Sequence, residues 1–207
     1  NSAVYPRFTQ LISNSKIKLL KTLYHQSCQL LSAIILPVSA VLFFFSRDIL
    51  FMWTKDVDIS QNSYLTLSIL VLGTCISCLL NLPYSLQIAY GWTKLAVCIN
   101  IVSILIFTPC IYYFTISYGP IGAASCWLFL NTGYLLFGIH IMHKKILPSE
   151  KMEWYFKDVL KPALISFSVV GIFWKIYPEN LSWYQDIILI FLVLIFTIFL
   201  MFILNNF

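Results

Sequence analysis

The stretch IILIFLVLIFTIFLMFIL, Ile187–Leu204, decides what kind of protein this is. It is almost pure Ile, Leu, Phe and Val, with Thr197 as its one hydroxyl. Crossing the hydrocarbon core of a bilayer takes a helix of ~20 such residues, and a helix apolar on every side has no face to offer water. Apolar and polar positions do not alternate, which excludes a barrel strand. The rest of the chain agrees. Of 207 residues, 60% are hydrophobic, 17% aromatic and only 10% charged, against about 45–50% apolar and about 25% charged in ordinary soluble domains. Mean hydropathy is +0.86. With 13 basic and 8 acidic side chains, a soluble enzyme of this size could not cover its surface. A disordered chain would be poor in the residues abundant here. The reading is an all-α integral membrane protein.

Working outward, six transmembrane helices are predicted: Cys28–Phe45, Tyr64–Leu82, Ala96–Ile116, Ile121–Met142, Val159–Tyr177 and Ile187–Leu204. The fifth has the shortest apolar centre, because Lys161, Pro162 and Lys175 flank it. Those lysines can lay their stems along lipid while the ammonium groups reach the headgroups. Pro37 and Pro109 are expected to kink the first and third spans. The chain opens at Asn1 with neither an initiator Met nor a signal-peptide pattern, and is expected to be part of something longer.

Basic residues divide unevenly between the two sides. Arg7, Lys16, Lys18, Lys21, Lys94, Lys144, Lys145, Lys151, Lys157 and Lys161 fall on one side; Arg47, Lys55 and Lys175 fall on the other. The positive-inside rule makes the first side cytoplasmic, and both chain ends with it. Residues 1–27 read as a basic amphipathic segment running straight into the first span, with Ile17, Leu20 and Tyr24 at helical spacing. Residues 143–158 read as a basic cytoplasmic loop with Trp154, Tyr155 and Phe156 as interface anchors. Between them lie the four spans of 28–142; the last two occupy 159–207. The basic stretches can attract anionic membrane lipids.

Little here points to covalent chemistry. Cys28, Cys75, Cys78, Cys98, Cys110 and Cys126 all lie in apolar runs and read as small hydrophobes. Asp56-Val57-Asp58 spells a D-x-D, but no alternation of strands and helices surrounds it to build a nucleotide fold. His140 and His143 lack a third ligand and are expected to meet headgroups or water. Asn180-Leu181-Ser182 fits a glycosylation sequon on the outer side. No cofactor, metal or nucleic acid is expected, and the protein is not expected to be an enzyme.

Two kinds of residue stand out inside the spans. No span carries a carboxylate, Lys or Arg near its centre, so the deepest polar groups are Asn81, Asn100 and Asn131, with Gln87 just past the second span. Such amides either glue helices together or line a wet cavity, where each offers donor and acceptor to a sugar hydroxyl. These four are the candidate substrate-cavity residues. The second kind is small: Tyr118-Gly119-Pro120-Ile121-Gly122-Ala123-Ala124 makes a tight turn, with Gly119/Ala123 and Gly122/Cys126 four apart so that helix backbones approach closely. The third and fourth spans should form an antiparallel hairpin.

The order of several segments resembles a known family. Ala3-Val4-Tyr5-Pro6-Arg7-Phe8, Pro37, Ile49-Leu50-Phe51-Met52-Trp53-Thr54, Leu86-Gln87-Ile88-Ala89-Tyr90-Gly91-Trp92, the Tyr118–Ala124 turn, and Trp154 followed by Asp158-Val159-Leu160-Lys161-Pro162 resemble polysaccharide flippases of the O-antigen translocase type. These belong to the multidrug, oligosaccharidyl-lipid and polysaccharide exporter superfamily. The resemblance runs over essentially the whole chain and implies two pseudo-symmetric lobes of six helices, often with two more appended. This chain would hold the incomplete second lobe plus the two appended helices, its partner being the missing N-terminal lobe. The implied activity is moving an undecaprenyl-pyrophosphate-linked oligosaccharide across a bacterial inner membrane by alternating access. Aromatics such as Tyr84 and Tyr90 suit the cavity walls. A drug or cation antiporter of the same superfamily, a membrane-embedded glycan polymerase, ligase or acyltransferase, and a purely structural membrane subunit are the alternatives.

Overall fold

The structure, a computed structural model, describes residues 4–178 and 183–204. Ala3, Glu179 and the sequon Asn180-Leu181-Ser182 lie outside the described residues. Every regular element among the described residues is helical. In order they are α1 (Val4–Ser13), α2 (Ile17–Phe44), α3 (Ser46–Thr54), α4 (Val57–Ala89), α5 (Thr93–Gly133), α6 (Ile139–Ile146), α7 (Lys151–Glu153), α8 (Lys161–Lys175) and α9 (Trp183–Leu204). Two π-helical stretches, Tyr134–Gly138 and Trp154–Leu160, join α5 to α6 and α7 to α8.

Among the described residues, four stretches are long and apolar enough to cross a membrane: Ile17–Phe44, Val57–Ala89, Thr93–Ile146 and Tyr184–Leu204. The sequence led us to expect six, and two physical facts account for the difference. The expected fifth span begins in the π-helical stretch Trp154–Leu160 and continues through α8 to Lys175, and Asp158, Lys161 and Lys175 interrupt its apolar run. The expected third and fourth spans are two helical arms that meet at Gly119 with almost no loop, so that the chain doubles back on itself. Gly119 alone within α5 leaves helical backbone values, at φ 61 and ψ −144. Asn100 and Tyr134 would lie ~51 Å apart along one straight helix at ~1.5 Å per residue, yet the Tyr134 hydroxyl donates to Asn100 Oδ1 at 3.2 Å. Ile99 likewise lies against Gly138. A Cβ built on Gly122 would collide with the Phe114 carbonyl, so a bare backbone face is what lets the arms close at the turn. α2 and α5 run on through Pro37 and Pro109.

Three expectations about the connecting segments need correction. Ile17, Leu20 and Tyr24 do run straight into the first span within α2, but the residues before them form a separate helix: α1 ends at Ser13, Ser15 takes φ 54, and the Lys16 N–H donates back to the Leu11 carbonyl at 3.0 Å, a helix stop of the left-handed kind. α1 then lies against α4 with Phe8 and Leu11 buried. The connection expected over Ser46–Ser63 is helical except at Lys55 and Asp56. Asp56 caps α4 by accepting from the Asp58 and Ile59 N–H groups at 2.8 and 3.1 Å, which is the structural use of the D-x-D. The loop expected over 143–158 is helical for nearly all its length. It folds because it is packed: Trp154 is buried rather than anchored at an interface, and so are His143 and Asp158.

The core of the described residues falls into three clusters, one of them small and made by Leu36, Cys75 and Leu79. Phe8, Leu11, Leu20, Tyr24, Cys28, Leu82, Leu86, Met142 and Trp154 belong to the second; Ala40, Val41, Phe45, Val170, Ile190 and Val193 make the third. Outside them, large apolar side chains such as Leu105, Phe137 and Phe199 stand well exposed, as a lipid-facing surface requires and a water-facing one does not tolerate in such number.

Candidate functional site: an amide-lined cavity

A cavity of about 370 Å³ opens between α4 and the two arms of the hairpin. Asn81, Gln87, Asn100 and Asn131 all line it, so the structure brings the four deep amides to one place. They come from three directions. Asn81 and Gln87 lie on the last turns of α4, Asn100 on the first arm of α5 and Asn131 on the second. Tyr84, Trp127 and Tyr134 complete much of the wall; Tyr90 does not line it. Close approach of α4 to the second arm makes the packing possible, since a Cβ on Gly73 would meet Trp127 Cδ1 at 2.6 Å.

Hydrogen bonds hold these groups in place. Gln87 Nε2 donates to the Trp92 carbonyl at 3.1 Å, pinning the turn between α4 and α5. Asn131 Nδ2 donates to the Trp127 carbonyl at 2.8 Å, and Trp127 Nε1 donates to Thr74 Oγ1 at 3.3 Å. A side-chain amide carries two N–H donors and an acceptor oxygen, more than the single bond that each of Gln87 and Asn131 uses here. No charged side chain lines the cavity among the described residues. The π-helical stretch Tyr134–Gly138 lies in its wall, and the Leu135 carbonyl within it accepts from the Tyr155 hydroxyl at 2.6 Å. Insertions of this kind recur at functional sites.

A second polar assembly, which the reading of the sequence missed, ties α2 to the segment before α8. His25 Nδ1 meets Asp158 Oδ2 at 2.5 Å and its Nε2 meets Glu150 Oε2 at 3.2 Å. Only the imidazolium donates from both ring nitrogens. Gln29 Nε2 donates to Asp158 Oδ1 at 2.9 Å, and Lys21 Nζ pairs with Glu150 Oε1 at 2.5 Å. Burial pushes the Asp158 carboxyl up, against the pull of His25. Hydrogen bonds from Lys21 and Ser149 hold Glu150 down at about 2. Lys21, His25 and Gln29 recur every fourth residue, so this stripe was visible as one face of a helix. Its carboxylate partners, more than a hundred residues away, were not.

The spacing of His25, Glu150 and Glu153 would admit a metal ion. The donors are already spent, however: both His25 nitrogens face carboxylates and Glu150 is held by Lys21. His143 is not at a headgroup surface either. Its Nδ1–H donates to the Ile139 carbonyl at 3.1 Å, which leaves Nε2 to accept from the Tyr24 hydroxyl at 3.2 Å. His140 is exposed and accepts from Lys151 Nζ at 2.7 Å.

Comparison with known proteins points the same way as the fold. The sequence profile of the MatE family matches residues 1–113, more than half of the chain. A curated relative, the "Putative O-antigen transporter" of Shigella flexneri, is 29% identical over 126 residues, which is 60% of this chain and 29% of the relative. The chain therefore spans less than a third of that relative's length. No solved structure matches.

Proposed function

The chain belongs to the MatE family, and from that premise we propose that it is the C-terminal part of a flippase for a lipid-linked oligosaccharide of the undecaprenyl-pyrophosphate kind, working in a bacterial inner membrane. The observation that carries this reading is the gathering of Asn81, Gln87, Asn100 and Asn131 around one cavity. A glycan is too polar for hydrocarbon, whereas its prenyl tail can remain in lipid throughout. The protein therefore has to offer the sugar a polar wall that exchanges for water at little cost. Neutral hydrogen bonds, each worth about 1 kcal/mol net, hold a sugar without trapping it. The aromatic rings of Tyr84, Trp127 and Tyr134 add apolar faces with polar edges. An antiporter for drugs or cations wants a carboxylate or a cationic side chain in such a place, and neither lines the cavity among the described residues.

On this reading the basic residues grouped toward Lys21, Lys145 and Lys157 lie on the cytoplasmic side, with both chain ends. Two lobes rock about the substrate, and the other lobe provides the cations that neutralise the pyrophosphate. The test is rescue of surface glycan in a flippase-null strain. The 207-residue chain alone should restore none, and the chain co-expressed with an N-terminal lobe should restore it. Full rescue by the chain alone would contradict the two-lobe reading and leave a homodimer in its place.

A further inference from the structure

A second cavity, of about 670 Å³, lies between the two arms of the hairpin. Cys98, Val102 and Ile106 face it from the first arm, and Cys126, Phe129 and Phe137 from the second. Apart from the hydroxyls of Ser103 and Tyr134, its lining is apolar. It shares Ile99, Leu130, Tyr134 and Gly138 with the amide-lined cavity. Tyr134 stands at the seam and turns its hydroxyl to Asn100.

We propose that this cleft seats the hydrocarbon tail of an amphiphile whose sugar end lies on the amides. The proposal rests on the flippase reading and adds where the tail goes. Two adjoining spaces, one lined by amides and one by hydrocarbon, match the two ends of a single amphiphile. A tail moved from bilayer to cleft gains little by transfer, because lipid chains are as apolar as Leu. Its gain is a tether that holds the sugar beside Asn100 and Asn131 at high effective concentration.

The experiment uses the 207-residue chain in lipid nanodiscs and two probes, a geranylgeranyl glucoside and geranylgeraniol, each with a diazirine on the isoprenoid chain. Cross-links from the glucoside should map to residues 98–107 and 126–137, with about five-fold higher yield than from the alcohol, the factor that one neutral hydrogen bond is worth. Gly133 lines the cleft, and a Cβ there meets nothing within 4 Å, so Gly133→Phe should fill the space without disturbing the fold. It should abolish those cross-links at unchanged helix content, while Asn100→Leu should erase the preference for the sugar. Sugar-dependent cross-links landing on Ile187–Leu204 instead, or persisting in Gly133→Phe, would overturn the tail cleft and leave the flippase reading standing. Cleft labelling indifferent to the sugar would overturn the proposal and remove the glycan reading with it.

Discussion

Asp158 is the residue whose loss should be felt most. It is buried, and its two carboxylate oxygens receive His25 and Gln29. Breaking a buried ion pair by removing one partner strands the other, at a cost of ~3–5 kcal/mol. Asp158→Ala should therefore lower stability in detergent by about 3 kcal/mol, read from denaturant unfolding, whereas Asp158→Asn keeps an acceptor and should cost less. Glu150 gives a pH signature. Its folded-state value of about 2 lies below the ~4.3 of an unfolded glutamate, so its contribution is present above ~4.3 and fades as pH falls toward 2. The melting temperatures of the wild type and Glu150→Gln should differ near neutrality and converge across that window. A gap that is undiminished between pH ~4.3 and the acid end of that window would show that it does not come from the carboxylate's charge.

The hairpin is the element on which both cavities depend. Gly122→Leu drives side-chain atoms into the Phe114 carbonyl and should reduce abundance and transport together. Lys151→Gln, which loses only an exposed bond to His140, should leave both near wild type. Gly119→Ala forces a side chain into backbone space reserved for glycine and should cost of order 1–3 kcal/mol. Sidedness is tested by thiol labelling in a cysteine-free background. A cysteine at Asp58 should react from outside, and a cysteine at the exposed Lys18 should stay protected in intact cells; external labelling at Lys18 would invert the topology. Much of this architecture could be read along the chain. Gly119-Pro120 announced the turn, and apolar runs announced the long helices, because both signals are local. The fold-back of α1 on α4 and the packing of 148–160 could not be read in this way. They depend on Phe8, Trp154 and Asp158 finding partners distant in sequence, and an exposed-looking charge or aromatic gives no local sign of burial. The same holds for the cavity. Each amide was conspicuous alone in an apolar span, but the part of Tyr134 arises from a π-helical stretch that no residue pattern marked.

The molecule as a whole is a membrane-embedded helical body of the MatE family with a neutral hydrogen-bonding cavity. Its central claim is that the cavity meets the glycan during transport. Asn100 offers the sharpest test, because it is exposed to the cavity and its bond to Tyr134 is at the surface of the protein; replacing it should alter recognition far more than folding. The measurement is surface glycan, quantified in a flippase-null strain carrying the chain together with an N-terminal lobe, with and without Asn100→Leu, at matched protein abundance. Loss of one neutral hydrogen bond made in transport predicts about a five-fold drop in the rate at which glycan appears. An unchanged rate at equal abundance would contradict the claim that this cavity is the sugar's path.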